Sequence, residues 1–208
     1  MVTIKTGESG ATAEAGEARE AAEVGGTDEG AEGAGAAEGA EGAGAAEAAA
    51  RAAAERVTDP ELPMLTLADL GVLRGVSVEA GAVEVAITPT YSGCPAMTEM
   101  SRALVGALAE AGFADVRVRI ALAPAWSTDW ISPRGRRALA EHGISPPGPA
   151  PRRSGPVPLS LGPPRRPVHC PRCGSDRAEL VSEFGPTACR ALYRCAGCAE
   201  PFEHVKEI

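Results

Sequence analysis

Four of the six cysteines form two Cys-x-x-Cys pairs near the C-terminus, Cys170-Pro-Arg-Cys173 and Cys195-Ala-Gly-Cys198. Each pair presents two sulfurs across a tight turn. The 21 residues between the pairs leave room for a β-hairpin from Ala178 to Arg194. Four thiolates about 2.3 Å from one Zn²⁺ suit such spacing, and rubredoxin-like iron is the alternative ion for the same donors. The segment from Val168 to Ile208 is too short to build a self-sufficient apolar core. Metal binding energy is therefore expected to substitute for one. A fifth cysteine, Cys189, reads either as a small buried residue or as an extra, exchangeable ligand of this site.

The sixth cysteine stands alone in Thr88–Met97, TPTYSGCPAM. Pro95 fits a first helical position and Cys94 the cap before it. There the sulfur would meet unpaired N–H groups and the positive end of the helix, a setting that lowers a thiol pKa. Gly93 lets another group approach the backbone closely. A buried structural cysteine and a reactive one both remain open. Nucleophilic catalysis wants a base, but His142, His169 and His204 lie in no catalytic motif. Disulfide exchange wants a second thiol, which this part of the chain lacks. Holding iron or a cluster, shared with another group or relayed, is the use least opposed by the sequence.

Two other stretches carry polar groups that could converge on Cys94. Asp59-Pro-Glu-Leu-Pro63 sets the carboxylates Asp59 and Glu61 between prolines, and Asp69 precedes Leu70-Gly71. Turn and helix-stop chemistry also explains these acids. Pro124–Ser132, PAWSTDWIS, holds both tryptophans, Trp126 and Trp130, around Asp129. In a chain with few aromatic residues they read as core packing or as a partner-docking surface.

The elements that must position these residues follow from periodicity. Gly44–Val57 is rich in helix formers and is stopped by Asp59-Pro60. Val72–Val78 and Val83–Thr88 read as a hairpin through Glu79-Ala-Gly-Ala82. Met97, Met100, Leu104, Leu108 and Ala111 mark one face of a helix ending at Gly112. Val116, Val118, Ile120 and Leu122 alternate with arginines as a strand with one wet face. Ser132, Pro133 and Gly143 bracket a short helix from Pro133 to His142.

The first fifty residues are nearly all Ala, Gly and Glu. They hold 11 acidic residues against Lys5 and Arg19, a net −9, so the rest of the chain carries +1. With no aromatic and hardly any branched apolar residue, such a tail cannot offset its ordering entropy and is expected to be disordered. The expected organisation is therefore an acidic tail over 1–43, an α+β domain over 44–145, a Pro/Arg linker over 146–167 and a β module over 168–208. No leader-like start and no long apolar run appears, so a cytoplasmic protein without a membrane partner is expected. Glu179, Glu183, Glu200 and Glu203 interleave with Arg177, Arg190 and Arg194, which argues against a nucleic-acid partner.

The strings DPELP, DLGVL, TPTYSGCPA, LAPAWSTDWIS and HCPRCGS…SEFGPTACRALYRC…CAEPFE, in this order, resemble the PaaD (also PaaJ) subunit family of bacterial phenylacetyl-CoA ring epoxidase systems. The resemblance implies a small SufT-like iron–sulfur assembly domain followed by a zinc-ribbon-like module. It also implies a part in aerobic phenylacetate breakdown as an accessory maturation factor, not an enzyme in its own right. Its partners would be the other epoxidase subunits, above all the iron–sulfur flavin reductase, with a homodimer also open. Carried over by position, Cys94 matches the assembly-domain cysteine, Asp59 and Glu61 its acidic motif, and Cys170, Cys173, Cys195 and Cys198 the ribbon ligands. The sequence has no Glu and Glu-x-x-His pattern of a diiron bundle, so the chain is not expected to be the oxygenase. A structural subunit without a transfer role is the alternative.

Overall fold

The computed structural model describes residues 35–91, 93–150 and 167–208. Most of the disordered tail expected over 1–43 (residues 1–34) and of the extended linker expected over 146–167 (residues 151–166) lies outside those residues, and residues 35–43, expected in the tail, are helical instead. Helix α1 spans Gly35–Ala54, starting before the expected Gly44, because its alanines and glutamates propagate a helix readily once one exists. Its last turns bury Ala50, Ala53 and Ala54 in the core.

Strands β1 (Leu73–Glu79) and β2 (Ala82–Ile87) pair antiparallel. The two residues between them, Ala80 and Gly81, both have positive φ (48° and 83°), as the primed turn matching strand twist requires. Helix α2 (Met97–Glu110) carries the chain over to β3 (Asp115–Ile120), which pairs parallel with β2 in the order β1-β2-β3. The expected apolar stripe of α2 is buried through Met100, Leu104 and Leu108, facing Val83, Val85 and Ile87 across one core. Burying each of these side chains contributes about 1.5–3 kcal/mol.

Helix α3 (Pro133–Glu141) forms as its flanking residues predict. Ser132 Oγ accepts from the Gly135 N–H at 2.9 Å, proline opens the helix, and Gly143 leaves it at φ 78°. Asp69 is buried beneath α3. It accepts from Ser132 Oγ (2.8 Å), Thr66 Oγ1 (2.8 Å) and Arg134 Nε (2.9 Å). It is thus a structural knot tying one turn to one helix, and it does not converge on Cys94.

The C-terminal ribbon is a three-stranded meander of β5 (Ala178–Ser182), β6 (Arg190–Cys195) and β7 (Pro201–Val205). A short strand after α3, β4 (Ile144–Ser145), pairs parallel with β7, giving the order β4-β7-β6-β5. The ribbon sheet therefore includes a strand from the α3 end of the preceding part of the chain. Val205 enters the main apolar core, and the Thr128 N–H donates to the Ile208 carbonyl at 3.1 Å. Arg190, 6% exposed, reaches Glu203 at 2.6 Å and Glu61 at 3.6 Å. The two parts are docked edge to edge, and that docking decides what lies beside Cys94.

Candidate metal centre and thiol cleft

The four sulfurs of Cys170, Cys173, Cys195 and Cys198 all lie within 4.8 Å of one another. Sulfur pairs sit at 3.7 Å (Cys170–Cys198) and 3.6 Å (Cys173–Cys195). A tetrahedron with metal–sulfur bonds of about 2.3 Å has an edge of about 3.8 Å, so these spacings are those of a tetrahedral cage. Each Cys-x-x-Cys turn aims backbone donors inward. The N–H groups of Cys198 and Gly197 hold the Cys195 thiol down to about 6, and Gly197 N lies 3.2 Å from that sulfur. Cys173, though offered the Ser175 N–H, is pushed up to about 12 by Cys195 and Cys198. Four thiolates cannot stand together without a cation among them, so the donor set fits a metal ion.

Cys189 is not part of this cage. It stands just before β6 while Cys195 ends that strand, and six steps of about 3.3 Å place the two about 20 Å apart. The expectation of an additional tetrad ligand is corrected accordingly.

Cys94 lies in a half-buried turn ahead of α2. The helix begins at Met97 with Ala96 as its cap, so Cys94, the cap the sequence suggested, sits two residues upstream of the actual one. The electrostatic expectation is corrected as well. Burial pushes the thiol up and outweighs the Ala96 N–H that favours thiolate; Cys189, Asp59 and Glu61 add to the rise.

These groups surround a small cleft of about 50 Å³ between the α2 turn and the ribbon, walled by Tyr91, Met100 and Trp126. That is room for a few waters or one cation. Asp59 is 5% exposed and spends Oδ1 on the N–H groups of Glu61 (2.8 Å) and Leu62 (2.9 Å). Its carboxyl is raised by burial, against those two donors. The acid thus serves the turn and faces the cleft at once. Glu61, at the cleft edge, faces Arg190.

The tryptophan loop divides. Trp126 is 4% exposed and gives its indole N–H to the Leu70 carbonyl at 2.9 Å, so it is an interior wall and not an outward docking residue. Trp130 is half-buried with the Arg74 guanidinium 3.6 Å over its ring, and exposed Asp129 accepts from the Ala150 N–H at 2.9 Å. Gly71, at φ 68°, passes under Trp130, where a Cβ would come within 2.5 Å of that residue's own Cβ.

The placement of Cys189 in the Cys94 cleft is what the sequence reading missed. The two cysteines are far apart in the chain, and no spacing rule joins them; only the β4–β7 docking does. No helix among the described residues is long and apolar enough to cross a membrane.

Residues 154–206 match the family described as the PaaD zinc beta ribbon domain, and residues 47–122 the family described as iron-sulfur cluster assembly protein. Among solved structures, a domain of unknown function from Bacillus anthracis is 25% identical, with a TM-score of 0.45 over 48% of this chain and 96% of its own. A conserved hypothetical protein from Thermotoga maritima is 24% identical, with a TM-score of 0.39 over 45% and 92%. A protein of Escherichia coli (strain K12), provisionally named as a subunit of 1,2-phenylacetyl-CoA epoxidase, is 45% identical over 157 residues, 76% of this chain and 90% of that one. With an assembly domain and a PaaD ribbon in that order, and with this identity along nearly the whole of the relative, the chain belongs to the PaaD family of phenylacetyl-CoA epoxidase subunits.

Proposed function

We propose that this protein is a non-catalytic maturation subunit of a phenylacetyl-CoA epoxidase system, in which Cys94 transiently holds iron or an iron–sulfur cluster bound for another subunit. The observation that carries this reading is the half-exposed Cys94 sulfur in a cleft with Asp59 and Glu61 at its wall. One thiolate and nearby carboxylates give a weak, exchangeable site, which suits a carrier better than a resident cofactor. The Cys170/Cys173/Cys195/Cys198 cage takes zinc in this reading and acts structurally. The client is the iron–sulfur flavin reductase, reached through the surface around Asp129 and Trp130. Cells carrying Cys94→Ser are expected to accumulate reductase depleted in cluster. Reductase fully loaded with cluster, in cells with an undiminished pathway, would defeat the proposal.

A second reading, a structural subunit that remains bound to the oxygenase, is favoured by the word "subunit" in the relative's name. It predicts co-purification in fixed stoichiometry, with the reductase fully loaded when this chain is deleted.

A further inference from the structure

Cys189 has no use in either reading, yet it is carried into the cleft by a different module from the one that supplies Cys94. Its environment is built. Arg190 Nε donates to Thr187 Oγ1 at 3.0 Å, which leaves the hydroxyl hydrogen of Thr187 free for the Cys189 sulfur 3.1 Å away. Arg190 thus fixes the hydroxyl beside which the Cys189 sulfur is held. Cys94 has its own donor, the Ala96 N–H, and Cys189 is among the groups that raise its pKa. Cys94, Cys189, Asp59 and Glu61 all line this one cleft, less tightly gathered than the cage sulfurs, so a cation drawn into it would meet donors from both modules. Arg190 does not fill that role, since it is committed to Glu203 and Thr187 and reaches only Glu61 at the rim.

We infer that the ribbon supplies Cys189 as a second sulfur ligand to the cation held by Cys94, so that a single ferrous ion is bound between the two modules. The inference rests on the iron-holding role proposed for Cys94. It gives the ribbon a direct part in cargo binding: displacing it from β4 would withdraw one of two thiolates and loosen the ion. A borderline-soft divalent ion is the class that two thiolates with carboxylate or water completing the shell would select.

The test uses the full chain with zinc in its cage, under anaerobic conditions, titrated with ferrous ammonium sulfate. Iron binding and thiolate-to-iron absorption are followed for wild type, Cys94→Ser and Cys189→Ser, with retained zinc reporting that the ribbon is folded. The expected result is that each variant weakens iron binding at least about tenfold while keeping its zinc. If Cys94→Ser alone weakens binding, Cys189 is no ligand and the inference falls while the carrier role of Cys94 stands. If neither variant changes it, both fall. Dibromobimane on the wild type, which fluoresces fully only after joining two neighbouring thiols, does not depend on any variant folding. A Cys94–Cys189 cross-link that ferrous iron suppresses supports the shared site, and no cross-link, or one indifferent to iron, overturns it.

Discussion

The two parts of the molecule are held together by different physics. The first part buries apolar side chains from α1, β1, β2, α2 and α3 in one continuous cluster, with Leu65, Leu67, Leu104, Leu108 and Leu139 fully inaccessible. The ribbon's own buried cluster is Val168, Cys170, Cys195 and Phe202, so half of it consists of cage cysteines. Its outer strand and the turn after it leave Leu180, Val181 and Phe184 exposed. A core of that size cannot offset the entropy of ordering some forty residues, and the ribbon must draw on an ion and on its neighbour. Here the metal site stands in for a core, and the β4–β7 pairing fixes its orientation against the first part.

The most severe way to break this contrast is to remove the ion. Apparent binding energies of structural zinc sites are about 10–16 kcal/mol, far more than a cluster of four residues can replace. Chelation, or Cys195→Ser, is therefore expected to abolish amide protection throughout β5, β6 and β7 while α2 and β2 stay protected. Hydrogen exchange read by mass spectrometry makes the comparison. Uniform loss of protection in both parts would show that the first part has no independent stability.

The reciprocal experiment is Leu104→Ala. It removes a fully buried side chain from the centre of α2 and is expected to cost about 2–5 kcal/mol. Denaturant unfolding followed by helix signal should shift to lower concentration, with metal content unchanged while the protein is folded. A smaller loss would mean that α2 relaxes into the space.

A third change acts on the seam. Arg190 is buried against Glu203 at 2.6 Å, with Glu61 at 3.6 Å as a looser second partner. Glu203→Gln leaves the guanidinium buried with its better charge partner gone. Breaking a fully buried pair costs about 3–5 kcal/mol. Glu203 keeps a 24% exposed side chain and Glu61 remains, so about 2 kcal/mol is expected here. The loss should appear as faster exchange of β6 amides with the cage still metallated.

Much of this organisation is legible in the sequence, for identifiable reasons. The Cys-x-x-Cys pairs, the α2 stripe, the Ala80-Gly81 turn and the Ser132–Pro133 helix start are local signals, each settled within a few residues by one chemical requirement. Asp59 is read only in part, because an acid between prolines serves a turn and faces a cleft with the same carboxylate. The sequence puts the α2 start too early, since Pro95 fits a turn ahead of the helix as well as its first position. It also misleads on the pKa of Cys94, because helix-end electrostatics can be read locally while burial cannot. The Cys189 position is beyond its reach, for it depends on β4 pairing with β7, a strand of two residues with no periodicity to detect.

That same pairing gives the mildest and most specific test of how the halves are joined. At the β4–β7 seam, His204 Nδ1 meets Ser145 Oγ at 3.2 Å, His204 Nε2 lies 3.5 Å from Glu207 Oε1, and the Gly148 N–H donates to that oxygen at 3.1 Å. His204, ahead of the Gly148 donor, holds the Glu207 carboxyl down to about 2, from an ordinary value of 4.5. A carboxyl whose pKa is depressed by folding stabilises the folded state above its unfolded value. That contribution fades as the pH falls from about 4.5 toward 2. Since the Glu207 side chain stays partly open to solvent, a contribution on the order of 1–2 kcal/mol is expected, less than the full shift would imply. Acidification through this window should loosen the ribbon from β4 before the first part unfolds. Glu207→Gln, which keeps an acceptor for Gly148 but cannot titrate, should flatten that pH dependence at a cost near neutrality of about 1 kcal/mol. Unchanged acid sensitivity in Glu207→Gln would place the titrating group elsewhere and leave the seam held by its strand pairing, Val205, the Thr128–Ile208 hydrogen bond and the Arg190–Glu61 pair.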